Sequence, residues 1–350
     1  MRAPVVSLLL LLIASSPLFA QTEFQEELRV DLVLVDATVT DSRGNQILGL
    51  GKDDFIVEEN GEPQELLSVD YFTNRTLLTS REDRAAFPVE RVRQERYFVL
   101  FFHELGDPSA IPGFSSELRR ATQAARKWID EDLQPQDKVA IAGFDIRLKV
   151  YADFTNDREI LRSALSDVVT FSRGLTAVPE YAEEPSIMRV IDVEKMVNET
   201  GRIYDGLELL ADALRPIAAR KIMPLFSYGI GDIRRGSSTL LENEESWYQP
   251  MIQALNSANV TVDSIFLLRD VGFYAPEQTL SRISSETGGD YYKTFTSFET
   301  PLGRIENAAS GYYLLTYRIR KPDGAEGYQK IDVRLRNPEF RVKAREGYSY

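Results

Sequence analysis

Hydrophobic and polar positions change rhythm twice along the chain. From Leu28, the run LRVDLVLVDATVTDS alternates, with Val30, Leu32, Leu34 and Asp36 on one face and Asp31, Val33, Val35 and Ala37 on the other. Period two with β-branched residues predicts a strand, ended by the turn signal DSRGN at 41–45. Phe55, Val57 and the apolar residues of 66–69 predict two more strands about the Asn60-Gly61 turn. No helical period appears, so residues 28–75 read as part of a β-sandwich. Residues 76–95 are charged, contain Pro88 and read as a linker.

From Tyr97 the rhythm becomes apolar strand, then helix. Residues 97–102 are wholly apolar, as in the centre of a parallel sheet. Leu118, Ala121, Ala125, Trp128, Ile129 and Leu133 recur at helical spacing. Strands are predicted at 139–144, 148–151, 221–227, 260–268 and 290–292. Helices are predicted at 157–168, capped by Thr155 or Asn156, then at 188–214 with a break at Thr200-Gly201, and at 247–259, 279–286 and 297–309. This alternation over 96–309 implies an α/β fold with a doubly wound, mostly parallel sheet. The last forty residues return to strands, with turns at 321–324 and 336–338. Neither β end is large enough for a good core by itself. The expected arrangement is therefore one small all-β sandwich, built from 28–75 and 310–350, with the α/β domain inserted between its halves.

Residues 1–20, MRAPVVSLLLLLIASSPLFA, put Arg2 ahead of a ten-residue apolar run, and small residues with a proline follow. A membrane-spanning helix needs about 20 apolar residues. The pattern predicts a secretory signal peptide cleaved after Ala20, and a secreted or periplasmic mature chain with no membrane span. The sequence has no cysteine, which excludes disulfides and thiol chemistry. Acids outnumber basic residues 54 to 41, no basic cluster stands out, and nucleic acid is not an expected partner.

Residues 30–66, VDLVLVDATVTDSRGNQILGLGKDDFIVEENGEPQEL, resemble the opening of the VWFA-related family of acidobacterial secreted proteins. The end, SGYYLLTYRIRKPDG followed by YQKIDVRLRNPEFRVKAREGY, is similar to that family's C-terminal signature. Between them, LQPQDKVAIAGFD and DFTNDREIL resemble the second strand and following helix of a von Willebrand factor A domain. The resemblance implies a domain that binds other proteins through a metal-ion-dependent adhesion site. In that site Asp-x-Ser-x-Ser follows the first strand, joined by a Thr from a second loop and an Asp after the fourth strand. Such hard oxygen ligands suit Mg²⁺ or Mn²⁺.

This chain departs from the pattern in all three parts. The first strand runs into VLFFHELGDPS, where His103 or Glu104 takes the first Asp position and no hydroxyl follows at the required spacing. In the second loop, NETGRIYDGL, Gly201 occupies the expected threonine position beside Thr200. After the fourth strand Tyr228 stands where the acid belongs, with Asp232 four residues on. His103 and Glu104 would point to opposite faces of an extended strand, so they read as polar residues of a loop rim rather than joint ligands.

The expected protein is thus a non-enzymatic, exported binding module without a cofactor. Its partner-binding rim is His103, Glu104, Asp107, Ser109, Tyr228 and Asp232, set among the segments 103–109, 171–186 and 228–235. Its partner is another protein or a cell-surface polymer. An alternative keeps Mg²⁺ or Mn²⁺ on Glu104, Asp107, Thr200 and Asp232. A third reading is a hydrolase centred on His103, the only histidine, with Ser109, Ser115 and Ser116 nearby. Phe273 and Tyr274, in a predicted loop after the fifth strand of the α/β part, are further contact candidates.

Overall fold

The computed structural model describes residues 30–42, 44–73, 95–104, 113–198, 201–231, 244–268, 275–294, 296–320 and 327–349. The predicted signal peptide, the linker apart from Glu95, the turn at 321–324, and Asp107, Ser109, Thr200, Asp232, Phe273 and Tyr274 lie outside them.

Strands from both chain ends pair with one another. β1 (Val30–Thr40) lies between β11 (Gly311–Arg320) and β13 (Arg341–Ala344), and β4 (Leu66–Thr73) flanks β11. A second sheet runs β14 (Gly347–Ser349), β12 (Tyr328–Leu335), β2 (Phe55–Glu59), β3 (Glu62–Gln64). Val33, Val35 and Ala37 face the shared core with Phe55, Val57, Leu315 and Ile331, as the alternation requires. Asn60 and Gly61 both take positive φ, 51° and 84°, the geometry of a tight hairpin turn. Glu59 ties the two sheets together. Tyr317 and Tyr348 both donate hydroxyl hydrogen bonds to its Oε2, at 2.6 and 2.9 Å.

The remaining strands form one six-stranded sheet in the order β10-β9-β8-β5-β6-β7. β5 (Arg96–His103) is central and wholly buried, with β6 (Asp137–Phe144) and β8 (Lys221–Ser227) parallel on either side. β9 (Val260–Phe266) and β10 (Tyr291–Lys293) continue in parallel, while β7 (Leu148–Thr155) is an antiparallel edge. Counted from β5, the order is 6-5-4-1-2-3, a doubly wound sheet whose winding reverses between β5 and β8. The expected α/β fold class is present.

Helices cover the sheet: α1 (Phe114–Glu131) packs on α2 (Arg158–Val169) and α8 (Glu299–Ala309), and α5 (Ile203–Leu214) on α6 (Glu244–Ser257). α7 (Ala275–Glu286) packs against β9. Two local expectations need correction. The cap of α2 is Asp157, whose carboxylate accepts from the Glu159 and Ile160 amides, rather than Thr155, which ends β7, or Asn156. The span 188–214 is three helices, α3 (Ile187–Val190), α4 (Val193–Asn198) and α5; the expected interruption falls between Asn198 and Ile203, and a second, unexpected one comes where the backbone turns extended at Ile191.

The sandwich sits against the N-terminal edge of the six-stranded sheet. Asn259 donates to Asp36 at 2.8 Å, and Arg220 to Thr38 at 3.3 Å. At that same edge Arg96 grips Asp137 with two 2.7 Å hydrogen bonds and reaches Glu306 on α8. The opposite, C-terminal edge holds the ends of β5 and β8.

Candidate functional site

The crevice where winding reverses, at the C-terminal ends of the strands, is the usual ligand position of an open α/β sheet. β5 delivers His103 there and β8 delivers Ser227. His103 Nδ1 lies 2.8 Å from Ser227 Oγ, which also accepts the Gly229 amide at 3.0 Å. Tyr228 stacks on the imidazole with ring centroids 4.2 Å apart, and Phe114 of α1 meets Tyr228 edge-on. Burial holds the His103 pKa down to about 3, so the ring is neutral in ordinary buffers.

Glu104 points the other way, as the pleat demands, toward the antiparallel edge. Its Oε2 receives Lys149 Nζ at 2.8 Å and its Oε1 receives the Tyr151 hydroxyl at 2.6 Å. Lys149 also pairs with Asp145 at 3.0 Å. Burial raises the Glu104 carboxyl above its ordinary range, a shift that Lys149 and Tyr151 oppose. Gly143 makes room for this carboxylate, since a Cβ there would sit 2.5 Å from Glu104 Oε1. Gly206 serves the second loop in the same way: a Cβ would meet the Phe144 ring at 2.7 Å, so α5 starts tight against the end of β6.

Three of the predicted rim residues are therefore interior. His103, Glu104 and Tyr228 are 5%, 0% and 8% exposed, each held by its own polar or aromatic partners. They support the edge rather than form its outer surface. The structure brings His103 and Tyr228 together and sends Glu104 to a separate cluster. The outer surface includes the hairpin tip between β6 and β7, where Ile146 is 56% exposed between Asp145 and Arg147.

Of the four candidate ion ligands, only Glu104 lies among the described residues. The ends of β5 and β8 offer an imidazole, a hydroxyl and a phenol, and the one carboxylate already holds an ammonium and a phenol. Among the described residues no group of three or more His, Asp or Glu side chains could hold a metal. As for the hydrolase reading, the serine that meets the imidazole among the described residues is Ser227, and Ser109 lies outside them. Its side chain is wholly buried, while Ser116 Oγ donates to the Gly113 carbonyl at the start of α1.

Sequence reasoning missed Lys149, Tyr151 and Ser227. A signal for the first two was present. Lys149, Tyr151 and Asp153 alternate with Leu148, Val150, Ala152 and Phe154, which puts one polar face on a strand that is buried throughout. Asp153 uses that face to accept from Ser186 and from the Ile187 and Met188 amides, fixing the loop before α3.

No family model and no curated protein matches the sequence. Among solved structures, the chain is similar to the vWF domain of the type V pili tip protein Mfa5 from Porphyromonas gingivalis. That match has 8% identity and a TM-score of 0.40, over 61% of this chain and 95% of that one. It is also similar to an aerotolerance-related membrane protein from Bacteroides fragilis, at 12% identity and TM-score 0.38, over 61% and 98% of the two chains. A human COPII-coat protein matches at 10% identity and TM-score 0.38, over 73% of this chain, which spans only 43% of that protein.

Proposed function

We propose that this is an exported protein-binding module that works through the loop surface over the C-terminal edge of its six-stranded sheet, without a metal ion. The observation that carries this reading is the closed interior of that edge. His103, Ser227 and Tyr228 fill the reversal point, and Glu104 holds the Lys149 ammonium where a bound cation would need a free carboxylate. What is left for recognition is the surface above, including the exposed Ile146 tip. An isolated apolar side chain set between charges suits contact with another protein or a surface polymer. The apolar N-terminal run supports export.

Capture from an envelope extract on immobilised protein tests both halves of the reading. Partner capture should be the same with and without EDTA and should fall at least tenfold in Ile146→Asp. Capture abolished by EDTA would instead favour the ion-dependent alternative on Glu104, Asp107, Thr200 and Asp232.

A further inference from the structure

The opposite end of the molecule carries a different recognition feature. β1 is 11 residues long, yet β13 pairs only with Ala37 to Thr40 of it. Beyond Ala344 the chain crosses at Arg345 and Glu346 to join β14 in the other sheet. Among the described residues, Val30 to Asp36 therefore have a strand partner on the β11 side alone.

Backbone alternation fixes which groups are left over. The Val39 carbonyl accepts from Ile47 on the β11 side, so odd-numbered residues of β1 hydrogen-bond in that direction. Leu32, Leu34 and Asp36 turn their amides and carbonyls to the open side. The Leu34 carbonyl accordingly receives Arg345 Nη2 at 2.8 Å. An unpaired strand edge is a template for another strand.

The side chains along this edge are apolar and open. Leu32 and Leu34 are 56% and 49% exposed. With Ile217, Ala218 and Tyr348 they line a cavity of about 260 Å³ between the sandwich and the α/β body, and Arg345 stands in its wall. Arg345 spends two donors on carbonyls, of Leu34 and Asn256, while its Nε is buried without a partner. No carboxylate among the described residues lies within ion-pair distance of it. Nearby Lys221 is fully buried, and its ammonium donates to the Ile217 carbonyl rather than to an acid. Asp36 attracts both cations, yet neither Arg345 nor Lys221 makes an ion pair among the described residues, while Arg215, also in the cavity wall, pairs with Asp212.

We propose that the open half of β1 binds the C-terminal tail of a partner polypeptide, ending in an apolar residue, with its terminal carboxylate on Arg345. Direction follows from geometry. Arg345 stands toward the Asp36 end of the open stretch, so a tail running parallel to β1 brings its carboxylate there. The main chain would take up the free groups of Leu32 and the Leu34 amide, and the last side chain would enter the cavity. Strand addition supplies affinity from the backbone, and selection comes from the pocket and the carboxylate.

The test uses the whole mature protein and acetylated pentapeptides of alternating threonine and valine, ending in leucine or phenylalanine, each as free acid and as amide. Fluorescence polarisation should show the acids binding at least tenfold more tightly than the amides. Leu32→Glu and Leu34→Glu, at exposed positions, should remove that binding while circular dichroism and melting temperature stay unchanged. Arg345→Gln should erase the acid-over-amide preference. Equal binding of acid and amide overturns the proposal, as does no binding by any peptide at millimolar concentration. A concentration-dependent dimer in sedimentation that Leu34→Glu abolishes would assign the edge to a second copy of the chain and overturn it equally. None of these readouts involves the Ile146 surface.

Discussion

At the scale of single residues, two buried groups give the protein opposite pH responses. His103 is held to a pKa of about 3 from an ordinary 6.5, so only the unfolded chain gains a proton between those values. Its contribution is complete above pH 6.5 and is lost progressively as pH falls toward 3. His103→Gln should therefore lose less stability than the parent between pH 7 and 4.5, measured as the difference in urea midpoints. Asp263, on β9, accepts the Asp290 amide at 2.9 Å, and burial pushes its pKa up to about 7. Here the folded chain binds the proton more tightly, so stability falls as pH rises from about 4 to 7. Asp263→Asn should match the parent near pH 4 and exceed its stability at pH 8, by up to a few kcal/mol. The sole histidine at a strand end was legible in the sequence as a notable residue. Its burial was not, because that depends on Ser227 and Tyr228, which lie more than a hundred positions away and are brought in by the sheet.

At the scale of elements, the pair Glu104–Lys149 joins the end of β5 to the antiparallel edge β7, with side chains 0% and 9% exposed. Removing one partner leaves an uncompensated buried charge, at a cost of about 3–5 kcal/mol. Lys149→Met should lower stability by that order. The double variant Glu104→Gln with Lys149→Met should recover most of the loss, which a double-mutant cycle of denaturant midpoints would show. Gly143→Ala should also destabilise, since its methyl would meet Glu104 Oε1 and the Phe102 carbonyl. Strand and helix existence was legible throughout the α/β part because its apolar runs are long. What the sequence hid was local competition. Asp157 outcompetes its neighbours for the cap, and the chain extends at Ile191 inside an otherwise helical pattern. Each outcome depends on where one backbone group finds a partner.

At the scale of the whole molecule, the pairing of the two chain ends followed from a size argument: neither set of strands could build a core alone. Register could not be read that way, nor could the splitting of the last run into β13 and β14 in different sheets, because both depend on contacts between distant segments. Glu59, buried and shared by Tyr317 and Tyr348, is the polar centre of the sandwich. Hydrogen bonds to a charged acceptor contribute about 1.5–3 kcal/mol each. Tyr317→Phe and Tyr348→Phe should each cost stability of that order, and Glu59→Ala more than either, by chemical denaturation. The chain leaves the sandwich at Thr73 and re-enters at Gly311, and these two residues are strand neighbours. That adjacency sets a clock on biosynthesis. Glu59 is made 289 residues before Tyr348, an interval on the order of 15–60 s at about 5–20 residues per second. Until Gly311–Arg320 is made, β1 and β4 exist without β11 between them, and β2 has only the short β3 beside it, so for most of that interval the sandwich is half a structure with open edges.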